Sequence, residues 1–166
     1  MKTMLKIASV LTWVNVALWG AGVVFGMLVT LLRVDLAGLL LSVLLSAIPL
    51  SCFAALKLHT SIRYPNVPLS RESAIGIRFV GFMALFFGIW LVTGGIDLMA
   101  DPSPIIDGMM KLGEQLPKEM RAYYQVGRPF GKLVGAVVLM LGLSIAINTV
   151  LNLRLLRWYY LNQVRR

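Results

Sequence analysis

Charge is scarce in this sequence. Only 14% of its 166 residues are Asp, Glu, Lys or Arg, against about 25% in an ordinary soluble domain. Hydrophobic residues make up 58% and the mean hydropathy is +0.81, so a soluble globular domain is excluded. Cysteine and histidine are scarcer still, with Cys52 and His59 the sole members. A zinc site draws on about three or four protein ligands and a dithiol centre on two cysteines. Neither assembles within one chain, and no cofactor is expected. Cys52 and His59 stand seven residues apart and share a face if the helix continues; they read as a small apolar thiol and an interfacial imidazole. No Gly-x-Ser-x-Gly nucleophile elbow occurs.

What the sequence has instead is long uncharged runs. Ile7–Leu32, Leu36–Leu56, Phe79–Ile96 and Leu133–Leu153 carry no charge over 26, 21, 18 and 21 residues. About 20 apolar residues cross a bilayer as a helix. The sequence therefore predicts an all-α polytopic membrane protein, a single four-transmembrane-helix bundle over 1–166. Its spans are expected at about 7–32, 36–56, 75–97 and 131–153. The first run is far longer than the roughly 7–15 apolar residues of a cleavable signal peptide, so it is expected to stay as a span. No span contains an ionisable residue, whereas proton relays and ion pathways depend on such groups. Ion and proton transport are disfavoured on that ground, while a pore for a neutral solute stays open.

Lys and Arg are distributed unevenly about these runs. The N-terminus, the 57–78 connection and the C-terminus hold Lys2, Lys6, Lys57, Arg63, Arg71, Arg78, Arg154, Arg157, Arg165 and Arg166 against Glu72 alone, a net +9. The opposite side holds six basic and six acidic residues. Basic residues near span ends are retained in the cytoplasm, so both termini are expected there, with the 100–130 loop outside a cytoplasmic (inner) membrane. The pI of about 10.2 then reports topology. Nucleic acid is not an expected partner, since no soluble domain is available to hold a recognition element.

The connections differ in length. Arg33, Val34 and Asp35 alone separate the first two runs, which predicts a tight hairpin. Pro65, Asn66 and Pro68 make the next connection a loop, and Ser70 or Ser73 is expected to cap the third helix. In the outer loop, Ser103 as cap and Pro104 as first helical residue predict a short amphipathic helix over Pro104–Leu116, with Ile105, Met109, Leu112 and Leu116 at helical spacing. A second short helix is expected from Pro117 through Tyr124.

Inside lipid, helices associate through close packing of small residues and through interhelical hydrogen bonds. At about 100° per residue, Thr12, Asn15, Gly22, Gly26 and Thr30 share a face of the first helix. Gly38, Ser42, Ser46 and Pro49 share one on the second, and Gly81, Ala84, Gly88 and Gly95 one on the third. On the fourth, Gly131, Gly135 and Gly142 lie nearly opposite Ser144, Asn148 and Asn152. This predicts that one side packs within the bundle and the other meets a further helix from a second copy or a partner protein. Pro49 removes a backbone donor and predicts a kink, with Ser46 or Ser51 satisfying freed groups.

Two further segments bear on function. Asp97 and Asp101, four apart, are candidates for acid–base or metal chemistry but read as a solvated loop balanced by Lys111, Lys118 and Arg121. The C-terminal stretch 154–166 reads as an interfacial tail whose Arg154, Arg157, Trp158, Tyr159, Arg165 and Arg166 meet anionic lipid headgroups. The sequence is expected to encode a non-enzymatic interaction or accessory subunit, or a homo-oligomer. The alternative is a channel or transporter subunit for a neutral or lipid-like solute.

Overall fold

The structure is a computed structural model and describes residues 2–64, 66–114 and 128–163. The described residues are helical, with no strand among them. Among the described residues six helices follow one another: α1 (Lys2–Leu32), α2 (Leu36–Leu45), α3 (Ala47–Arg63), α4 (Arg71–Ala100), α5 (Ser103–Glu114) and α6 (Arg128–Gln163). Four segments are long and apolar enough to cross a membrane: Thr3–Leu32, Leu36–Arg63, Arg71–Ala100 and Arg128–Asn162. The chain is thus a multi-pass helical membrane protein by the length and composition of its helices. The second short helix expected from Pro117, and Arg165 and Arg166, lie outside the described residues.

The α1–α2 hairpin shows why three residues suffice to turn the chain. Val34 has φ 53°, its amide bonds to Leu31 O at 3.2 Å and that of Asp35 to Thr30 O at 2.9 Å. This is the Schellman ending of a helix, with valine where glycine is usual. Asp35 then accepts the Gly38 amide at 3.1 Å and starts α2. A Cβ at Gly38 would fall 2.5 Å from Thr30 Cγ2 and 2.6 Å from Asp35 Oδ2, so any other residue there would push the Thr30 and Asp35 side chains out of these positions.

The second span breaks at Ser46, between α2 and α3. Pro49 cannot donate to the carbonyl of Leu45, which accounts for the interruption one turn earlier. Neither nearby serine turns its hydroxyl to that carbonyl. Ser46 donates to Val43 O at 2.6 Å and Ser51 to Ile48 O at 2.7 Å, because a helical serine reaches the carbonyl three or four residues back.

Two compact units are distinguishable, Met1–Phe87 with Ser144–Arg166, and Gly88–Leu143. In the first, α1 packs on α2 and α3, Gly76 of α4 approaches Ala54 of α3, and Gly81 of α4 approaches Thr149 of α6. One core cluster unites Ala8, Leu58, Ala74, Ile77, Leu155, Leu156 and Tyr159. Three residues of the expected interfacial tail, Leu155, Leu156 and Tyr159, thus belong to the core. At about 1.5 Å per residue the 36 residues of α6 extend about 54 Å, well beyond a hydrocarbon core of about 30 Å. Leu155, Leu156 and Tyr159 face inward on this extension, while Arg154, Arg157 and Trp158 face outward. Tyr159 is buried and its hydroxyl accepts the Leu69 amide at 3.0 Å, so it is a core residue. Arg78 lies over the neighbouring Tyr160 ring, 5.4 Å from its centroid.

In the second unit, α4 and α6 meet backbone to backbone. A Cβ at Gly95 would lie 2.6 Å from Leu139 N, one at Gly135 2.8 Å from Met99 N, and one at Gly142 2.8 Å from Gly88 O. Nothing at these points can yield as a side chain can, so glycine is the residue that permits the approach. α5 begins where Asp101 Oδ1 accepts both the Ser103 amide (3.1 Å) and the Ser103 hydroxyl (2.7 Å). Asp101 therefore caps this helix in place of the expected Ser103, which already sits in its first turn. Ile105, Ile106 and Met109 are half-buried, and Asp107 and Lys111 are exposed.

Candidate functional site: a buried polar cluster in the first unit

Three helices contribute polar side chains to one place in the first unit. On α6, Ser144, Asn148 and Asn152 recur every four residues and so form a stripe. On α1, Ala8, Thr12, Asn15, Trp19, Val23 and Gly26 form the inward stripe, and on α3 Cys52 and His59 stand two turns apart. Thr12 donates to Asn148 Oδ1 at 2.8 Å, and Asn152 Nδ2 donates to the same oxygen at 3.1 Å. Asn148 Nδ2 points to Cys52 Sγ at 3.4 Å. Farther along α6, Asn15 Nδ2 reaches Ser144 Oγ at 3.2 Å and Leu11 O at 2.9 Å.

His59 closes the cluster at the end nearer the charged residues. Its Nε2 is 2.7 Å from Asn152 Oδ1. Because the Asn152 amide nitrogen is directed at Asn148 and Thr12, Oδ1 is the acceptor and Nε2 carries the proton. The ring is 3% exposed, and its Nδ1 has no hydrogen-bond partner among the described residues. His59 is thus buried among side chains of this chain, engaged by Asn152. Spacing alone had put it on the Cys52 face; what it lacked was the register of α6 against α3.

Beside the cluster lies a cavity of about 10 Å³ bordered by Ser51, Ile77, Gly81, Asn148, Thr149 and Asn152. That is the room of about one water molecule. No group of three or more His, Cys, Asp or Glu that could hold a metal occurs among the described residues. Thr12, Asn15, Ser144, Asn148 and Asn152 satisfy one another across helices, while His59 Nδ1 and Trp19 Nε1 are buried with no partner among the described residues.

The residues singled out in the sequence fall into distinct places. Asn15, Ser144 and Asn148 meet in this cluster, and Ala84 is fully buried. Gly26 receives Ser42, whose Oγ would be 3.2 Å from a Cβ there, and Gly81 receives Thr149 Cγ2 at 3.6 Å. Gly88 and Gly135 belong to the α4–α6 approach in the second unit. Ser46 is half-buried and bonds only within its own helix region. Gly22 is exposed with nothing within 4 Å of an added Cβ, so it packs on no other helix of the chain among the described residues; the inward stripe of α1 runs through Val23. Arg154, Arg157 and Trp158 are exposed. The glycine side of α6 meets α4 in the second unit, and its polar side meets α1 and α3 in the first. Thr12 and Asn152, which the sequence placed on the packing faces of their helices, join the cluster, and Cys52 and His59, read there as a thiol and an imidazole without packing partners, complete it.

Asp97 and Asp101 are joined by a continuing helical bond, Asp101 N to Asp97 O at 2.8 Å. The Asp101 carboxylate is committed to Ser103, whose hydroxyl and amide hold its pKa below the ordinary value. Comparison with family models, curated proteins and solved structures finds no match to this chain.

Proposed function

We propose that this chain is a non-enzymatic interaction or accessory subunit of a cytoplasmic membrane, with both termini in the cytoplasm. The observation that carries the reading is the mutual satisfaction of Thr12, Asn15, Cys52, Ser144, Asn148 and Asn152 beside a cavity of about 10 Å³. Interhelical hydrogen bonds of this kind hold a bundle together, whereas a solute path needs room and unengaged polar groups. The orientation rests on the +9 and zero charges of the two sides. Arg154, Arg157 and Trp158 supply contacts to anionic headgroups at the cytoplasmic face.

The outward surface is the means of interaction. Phe79, Phe82 and Phe86 on α4 and Phe25 on α1 are largely exposed, as suits lipid or the helix of another membrane protein. The decisive experiment has two arms: reconstitution into vesicles with a swelling assay for small neutral solutes, and purification in mild detergent with measurement of stoichiometry. Swelling no faster than in empty vesicles, together with a fixed-stoichiometry complex or homo-oligomer, is expected. Solute-dependent swelling would replace this reading with that of a pore.

A further inference from the structure

An open groove of about 210 Å³ runs between α3 and α4 in the first unit, lined by Leu50, Phe53, Ala54, Lys57, Glu72 and Ser73. The close approach of Gly76 to Ala54, 3.3 Å from an added Cβ to Ala54 Cβ, fixes the level of the two helices. They are antiparallel across a short connection. Three residues onward from Ala54 and about four back from Gly76 bring Lys57 and Glu72 to one height. Leu50 lies about 10 Å deeper along α3, inside the uncharged run that ends at Leu56.

The groove therefore has an apolar deep end and, at the membrane interface, a cation and an anion on opposite walls. Leu50 and Phe53 are 55% and 52% exposed, and Lys57 and Glu72 are exposed as well. Among the described residues neither charged head group has an ion-pair or hydrogen-bond partner. The Ser73 hydroxyl is engaged by Ser70 at 2.8 Å, which leaves the two charges as the recognition elements. An acyl chain suits the deep end, and the charge pair suits a headgroup carrying both signs side by side.

We propose that this groove binds a phospholipid of the ethanolamine class. The phosphate would pair with the Lys57 ammonium, and the lipid's primary ammonium would donate N–H bonds to the Glu72 carboxylate. A glycerol headgroup offers no cation and meets repulsion from Glu72. A choline headgroup offers a cation without N–H donors. The inference stands apart from the accessory role, since a pore subunit with this groove would bind the same lipid.

The full chain, purified in detergent, is to be given equimolar phosphatidylethanolamine, phosphatidylcholine and phosphatidylglycerol of identical chains, and the retained lipid read by native mass spectrometry. Ethanolamine lipid is expected to be enriched over both others. Glu72→Gln should lower its enrichment over the glycerol lipid about threefold, the scale of an exposed ion pair, and Lys57→Gln should lower retention of all three. Retention of the glycerol lipid in preference, equal retention of ethanolamine and choline lipids, or an unchanged ratio in Glu72→Gln would overturn the proposal. As a second readout, the fluorescence that a Phe53→Trp variant gains over the parent, which has four tryptophans of its own, should be quenched more by bromo-acyl ethanolamine lipid than by bromo-acyl glycerol lipid; equal quenching of that gain would also overturn it.

Discussion

Thr12 donates its hydroxyl to Asn148 Oδ1 over 2.8 Å, joining the first and last helices across 136 residues of sequence. The same oxygen accepts from Asn152, so one amide organises contacts on three helices.

Asn148→Leu should therefore destabilise the chain by about 1–3 kcal/mol, since it leaves buried polar partners unsatisfied. That exceeds the average of about 0.6 kcal/mol for a single interhelical bond in a membrane. Thr12→Val alone should cost less. Reversible unfolding in mixed micelles measures both, and a double-mutant cycle should show coupling between them; strict additivity would refute the shared oxygen.

Gly95→Ala should cost about 1–3 kcal/mol, because its methyl group would meet Leu139 N at 2.6 Å and backbone cannot move aside cheaply. Gly22→Ala, with nothing within 4 Å, should stay within about 0.5 kcal/mol of the parent. Equal effects in the same unfolding assay would contradict the backbone contact between α4 and α6.

Val34 occupies a left-handed conformation, φ 53°, that is costly for a β-branched residue. It is exposed and makes the hairpin by its backbone alone. Val34→Gly should raise stability by about 0.5–1 kcal/mol, the relief of strain being offset in part by the freer unfolded chain. A lower midpoint of unfolding would show that the valine side chain contributes something further.

The Asp101 cap sets a pH dependence. Its pKa is lower in the folded chain than in the unfolded one because Ser103 donates two hydrogen bonds to the carboxylate. The unfolded state then takes up the proton more readily. The stabilisation is present above the ordinary carboxylate value and disappears as pH falls through the lower folded value. Protection of the Ser103 amide in hydrogen exchange should fall over that acidic window in the parent. In Asp101→Ala it should be low throughout and insensitive to pH there.

Much of the fold was legible in the sequence because its causes are local. Uncharged runs of membrane length, three residues between two of them, and Pro49 each act within a few residues of themselves. The glycine stripes of α4 and α6 were equally visible, since a missing side chain is apparent in one helix. What could not be read was register between helices. Gly22 and Val23 are neighbours, and only the partner decides which faces inward. His59 and Tyr159 are amphipathic residues that suit an interface until a matching acceptor or donor, Asn152 or the Leu69 amide, draws them inside. Asp101 and Ser103 are both good capping residues, and the choice between them is a matter of two backbone positions.

The polar cluster also orders the making of the protein. Thr12, Cys52 and His59 enter the membrane with the first two spans, but the amides they bond to stand at positions 148 and 152, more than eighty residues later in synthesis. Until then the growing chain holds polar groups whose partners have not been synthesised, a state costly in lipid. Arrest before residue 140 thus leaves a nascent chain marked as incomplete by its own unmet hydrogen bonds, and pulse-chase labelling should find it degraded faster than the finished protein.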